Sequence, residues 1–224
     1  MNLALSFKNF LGGESFGNYK KGVKFAFYAM RRPLDGFWDL THEGRGHMWA
    51  AHTFVLLRLI VEILRTTSSN FQFVPIHMEA YNVLMTVAQV LVPILLWCVA
   101  NWSLTTLMDG KGKFSHIYMA LAYALVPWTL IDAALIPVSH MLTFDEGAMY
   151  WAFTSFGILY FGFLLIVGMM QIHDYTMRKT LFSSLASLVA IGVLVFIFIM
   201  FFAVVTDAIA YFVSVFQEIW FRII

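Results

Sequence analysis

Three ionisable residues interrupt stretches that are otherwise apolar enough to cross a bilayer: Arg58, Glu62 and Asp132. Charge at that depth is costly, which makes each a functional candidate. Arg58 and Glu62 are four residues apart and share one helical face, with Arg65 following on it. Such a set is either a mutually neutralised pair turned into a helix bundle or a polar contact to another subunit or a substrate path. Asp132 lies between Pro127 and Pro137. A carboxylate beside proline-broken backbone can bind an ion or accept a proton. It can equally cap freed backbone amides or pair with Arg58. His52 sits about a third of a turn from the Arg58–Glu62 face and does not extend it.

Other chemistries lack their residues. His173 and Asp174 adjoin at a helix end, but there is no His-Glu-x-x-His pattern and the seven histidines are scattered. A Gly-x-Ser-x-Gly elbow is absent. So is the Gly-x4-Gly-Lys-Ser/Thr phosphate loop. The single cysteine, Cys98, excludes an intrachain disulfide and a multi-cysteine metal site. The expectation is a non-catalytic protein with no metal and no cofactor.

The elements that hold these residues follow from composition. The 224 residues are 61% hydrophobic and 12% charged, with a mean hydropathy of +0.78. Soluble domains carry about twice that charge. A net charge of +1 argues against a nucleic-acid partner. Five stretches approach the roughly 20 apolar residues of a spanning helix: 48–64, the least apolar, then 83–107, 117–138, 148–172 and 181 to beyond 203. The alternation of a membrane β-barrel is missing. The predicted fold is all-α, a polytopic membrane bundle of five transmembrane helices. Gly157, Gly162 and Gly168 suggest close helix packing. Trp49, Trp97, Trp102, Trp128 and Trp151 fall mostly near predicted span ends.

Eleven of the fourteen basic residues lie on one predicted side. They are Lys8, Lys20, Lys21, Lys24, Arg31, Arg32 and Arg45 before the first span, Lys111 and Lys113 after the second, and Arg178 and Lys179 after the fourth. The loops after the first and third spans carry none. The positive-inside rule then puts the N-terminus in the cytoplasm and the C-terminus outside.

Residues 1–47 form a cytoplasmic tail. Residues 7–19 contain Gly12, Gly13 and Gly17 and read as turns. Residues 19–32 read as an amphipathic helix with Val23, Phe27 and Met30 on its apolar side, suited to an anionic lipid surface or a protein. Arg32-Pro33 stops it, and residues 33–40 read as a turn and an aromatic segment. Nothing at the N-terminus has the make-up of a cleavable signal peptide. Residues 48–206 form the transmembrane domain. Residues 207–224 fit either an interfacial helix on the outer face or a continuation of the fifth span.

Four motifs together resemble a known family: residues 32–46 (Arg-Pro-Leu-Asp-Gly-Phe-Trp-Asp-Leu-Thr-His-Glu-Gly-Arg-Gly), Asn101-Trp102, Asp109-Gly110-Lys111-Gly112-Lys113-Phe114, and Tyr123 through Pro127. This series resembles the bacterial branch of the Yip1-domain family, over about residues 28–206. The resemblance implies a five-span, non-enzymatic membrane protein with a cytoplasmic N-terminus that binds other proteins. The trafficking signature Asp-Leu-Tyr-Gly-Pro of eukaryotic members is absent, so that role does not carry over. Similar bacterial proteins are often encoded beside ABC-type carbohydrate importers, which implies an accessory or scaffold subunit of the bacterial cytoplasmic membrane. The permease docking loop Glu-Ala-Ala…Gly is also absent, so the chain does not resemble the permease itself. The expected partners are membrane lipid and another integral membrane protein, such as importer permease subunits. The partner-binding candidates are Asp35, Phe37, Trp38 and Asp39 in the tail, with Asn101, Trp102, Asp109 and Lys111 in the loop. The rival reading is a small transporter or ion/proton-coupled permease using Arg58, Glu62 and Asp132.

Overall fold

The computed structural model describes residues 13–75 and 81–223. Lys8 and residues 7–12 of the expected turn lie outside them. Seven helices follow in order: α1 (Gly13–Arg31), α2 (Pro33–His42), α3 (Met48–Ser68), α4 (Val83–Leu107), α5 (Phe114–Ser139), α6 (Gly147–His173) and α7 (Met177–Ile223). A 3-10 turn, Phe144–Glu146, leads into α6. All regular structure among the described residues is helical.

Local chemistry sets several boundaries. Asn82 caps α4, its side-chain oxygen accepting the N–H groups of Leu84 and Met85. Thr143 and Glu146 close a capping box ahead of α6. α1 stops at Arg31, and Pro33 opens α2 at a position where its fixed φ suits a helix and its missing N–H is no loss. The expected turn over residues 33–40 is therefore helix. So is the Gly13–Tyr19 stretch, despite Gly17.

Among the described residues, four helices are long and apolar enough to cross a membrane: α4, α5, the Phe144–His173 run containing α6, and α7. At 21 residues α3 is about 31 Å long, enough to span, but Arg58, Glu62 and Arg65 keep its hydropathy below theirs. α5 is central and buried nearly all round, with Ala120, Ala122 and Ala124 admitting close neighbours. α3 and α6 flank it, and α7 packs chiefly on α4. Gly157 fits against Trp128, and Gly168 against Phe37 and Ala120. Gly162, expected to pack, faces open space. α7 continues unbroken through residue 223. At 47 residues it is about 70 Å long, roughly twice a bilayer's hydrocarbon core.

α1 and α2 lie against the bundle end that carries most basic residues. Gly22, Phe25, Ala26 and Ala29 form the buried face of α1. Val23 and Met30 flank it, but Phe27 is 54% exposed. Apart from Phe25 the buried face carries small side chains, which lets the helix backbone approach its neighbours closely. A Cβ on Gly22 would come within 2.6 Å of the His47 side chain. Tyr123 ties the junction, its hydroxyl donating to the Gly22 carbonyl at 3.1 Å and accepting the His47 N–H at 3.2 Å. The Tyr160 hydroxyl donates to the Met30 carbonyl at 2.6 Å.

Candidate functional site

The charged residues of α3 and α5 form one cluster. Arg58 Nη1 donates to Asp132 Oδ2 at 2.6 Å, and its Nη2 donates to Glu62. Arg65 reaches the other Glu62 oxygen at 2.9 Å, with its Nε 4.0 Å from Asp132. The Arg58 guanidinium lies over the Trp128 ring, 3.9 Å from its centroid. Arg58 and Asp132 are both buried. Two cations face two carboxylates, so the cluster is neutral, and the pairing offsets the desolvation of each member. Asp132 Oδ1 nevertheless has no hydrogen-bond donor among the described residues. His52 stays outside the cluster, its Nδ1 2.8 Å from the Tyr118 hydroxyl.

The second assembly joins the α4–α5 and α6–α7 connections. Asp109 and Asp174 each end a helix in the left-handed region, with φ of 57° and 53°. In each turn the next N–H reaches back five residues, Gly110 to the Thr105 carbonyl at 2.8 Å and Tyr175 to the Met170 carbonyl at 3.0 Å. The two turns interlock. Gly112 N–H donates to His173 Nδ1 at 3.2 Å. His173 Nε2 lies 3.1 Å from Asn101 Oδ1, and the Asn101 amide nitrogen donates to Ser187 at 3.2 Å. With one ring nitrogen accepting and the other donating, His173 is held as the neutral imidazole. Gly110 and Gly112 are required here, since a Cβ on either would come within 2.7 Å of the His173 ring. Tyr175 and Lys179 both donate to the Met108 carbonyl at 2.9 Å. Burial first, then Asp109, raises the Tyr175 phenol above its ordinary pKa, which keeps it a donor. Lys111 pairs with Asp174 at 2.9 Å.

A family model described as the Yip1 domain matches residues 27–200. The chain belongs to the Yip1-domain family. Comparisons with curated proteins and with solved structures find no match. The Yip1 domain thus contains α2, the charge cluster and both interlocked turns. The first fourteen of the 19 residues of α1 and the last 24 residues of the chain fall outside it.

Within this Yip1 domain the expected partner residues divide into two groups. Asp35, Trp38, Trp102, Asp109 and Lys111 are exposed. Phe37, Asp39 and Asn101 are buried. Phe37 is 0% exposed and packs against Gly168. Asp39 is buried and holds Arg45 at 2.6 Å, fixing the chain between α2 and α3. Asn101 is 0% exposed and belongs to the interlock. The tail and loop candidates meet through residues that sequence reasoning did not nominate. Trp38 stacks on His42 at 4.6 Å between centroids. His42 is 3.8 Å from Asp174, the acid that also holds Lys111. No local sequence signal joins these residues, which are separated by more than sixty positions. Among the described residues no group of three or more His, Cys, Asp or Glu is placed to hold a metal.

Proposed function

We propose that this protein is a non-catalytic accessory or scaffold subunit that binds another membrane protein. The observation that carries the reading is the orientation of α2. One face, Gly36, Phe37, Asp39 and Leu40, is locked into the bundle, while Leu34, Asp35 and Trp38 are turned outward. That outward face is continuous with Lys111 through His42 and Asp174. A rigid surface with an exposed aromatic anchor and mixed charge suits a protein partner.

In this reading α3 is a fifth span, its charges neutralised inside the bundle, and the protein resides in a bacterial cytoplasmic membrane. The basic end is cytoplasmic and the C-terminus external. α1 lies at the cytoplasmic surface with Lys20, Lys21 and Lys24 near anionic lipid. The partner to test first is the permease pair of an ABC-type carbohydrate importer. A pull-down from native membranes in mild detergent, read by mass spectrometry, should recover importer subunits. Recovery of the homomer alone would count against the proposal.

One observation favours a second reading, a small proton-coupled permease: the buried, donorless Asp132 Oδ1 beside Arg58 and Glu62. Uptake by the purified protein alone in liposomes decides for it, and its absence decides against.

A further inference from the structure

A cavity of about 680 Å³ opens between α3, α4, α5, α6 and α7, beside the charge cluster. Its walls are mostly aliphatic, with Trp97, Trp128 and Phe161 as its aromatic components and Arg58, Glu62, Arg65 and Gln89 as its polar ones. Three of these residues carry buried N–H groups with no acceptor among the described residues: Trp97 Nε1, Trp128 Nε1 and Arg65 Nε. Buried donors are paired in nearly all native structures, so three orphans around one cavity call for an acceptor. The middle of a membrane offers no water to supply it.

We propose that this cavity binds a neutral, quinone-type lipid: a flat ring with carbonyl oxygens on an apolar chain. Each part of that description has a separate cause. The orphaned groups of the lining residues are all donors, the orphaned Asp132 Oδ1 belonging to a residue outside the lining, so the head must present acceptors. Arg58 and Arg65 are already balanced by Glu62 and Asp132, so a charged head would bring an uncompensated charge into an apolar site. Trp97 and Trp128, counted in the sequence among tryptophans near span ends, lie instead at mid-helix, roughly 15–21 Å from either end of their helices. That depth is beyond the ester carbonyls of phospholipids and within reach of a lipid whose head enters the bilayer core. The indole walls favour a planar ring, and the volume falls within the range of small-molecule sites. The binding site stands apart from the outward face of α2 and does not depend on the scaffold reading.

The full-length protein in detergent is titrated with a decyl-chain benzoquinone, and binding is read from the rise in thermal unfolding midpoint with ligand concentration. Decylbenzene, with the same chain and no carbonyl, is the control. The quinone should stabilise the wild type and decylbenzene should not. Trp97→Phe and Trp128→Phe keep an aromatic ring and remove one donor, so each should weaken the quinone about three- to tenfold. Equal stabilisation by decylbenzene, no stabilisation by the quinone, or unchanged affinity in both Phe variants would overturn the assignment. The comparison of the two ligands on the wild type stands even where a variant fails to fold.

Discussion

Arg58 on α3 and Asp132 on α5 meet at 2.6 Å inside the bundle, 74 residues apart in the chain. Both side chains are at most 5% exposed. The pair joins two helices that also meet through the His52–Tyr118 hydrogen bond, and it leaves Arg58 a second bond to Glu62. Removing one member strands the other as a buried charge. Arg58→Met or Asp132→Ala should lower unfolding stability by about 3–5 kcal/mol, whereas Arg58→Met with Asp132→Leu should recover much of that loss. Unfolding in mixed micelles measures all three variants. A double variant no better than the singles would contradict the pairing as the reason for burial.

The contact between α1 and α2 predicts a sharp contrast between two glycines. A Cβ on Gly36 would lie 2.5 Å from the Ala29 Cα, which is backbone and cannot swing aside. Gly36→Ala should cost about 1–3 kcal/mol by pushing the two helices apart. Gly192 in α7 has nothing within 4 Å. Gly192→Ala should be neutral or stabilise by about 0.5–1 kcal/mol, because it removes helix-disfavouring freedom. Thermal unfolding of both variants is the check.

Asn101 closes the interlock between the two inner turns. Asn101→Ala leaves the buried His173 Nε2–H without its acceptor, while the Ser187 hydroxyl loses the Asn101 donor and keeps its bond to the Ser183 carbonyl. The cost is about 1–3 kcal/mol, and it falls on the 109–113 loop. Trypsin should cut after Lys111 and Lys113 faster in this variant than in the wild type. Tyr175→Phe removes one bond to the Met108 carbonyl and should have a smaller effect in the same direction. Unchanged cleavage in both would show that the turns are held by other contacts.

How far the sequence reveals this arrangement depends on the kind of signal involved. The long apolar runs mark α4 to α7 to within a few residues, because bilayer thickness imposes a length that composition alone displays. The helical nature of α2 is hidden by Pro33 and Gly36, which read as turn residues. Pro33 is a helix start, and Gly36 is a site of close approach to Ala29. The buried face of α1 is hidden because, apart from Phe25, it is made of Gly22, Ala26 and Ala29, which carry little hydrophobic signal, while Phe27 points out. Asp132 shows as an anomaly in sequence, with pairing to Arg58 among the readings open to it. The exposed set Asp35, Trp38 and Lys111 cannot be separated from the buried set Phe37, Asp39 and Asn101 by residue type. Only packing distinguishes them.

The scaffold proposal rests on the outward face of α2, so Trp38 tests it most directly. Trp38 is 44% exposed and its ring stacks on the neighbouring His42, so Trp38→Ala should leave the fold intact. An exposed aromatic anchor is worth about 2 kcal/mol or more when it is an interface hot spot. The decisive measurement is quantitative co-purification of the partner membrane protein from native membranes with Trp38→Ala, beside wild type, with thermal unfolding confirming equal stability. Loss of most of the partner at unchanged stability is the predicted result. Full partner recovery at unchanged stability would contradict the assignment of this face to partner binding.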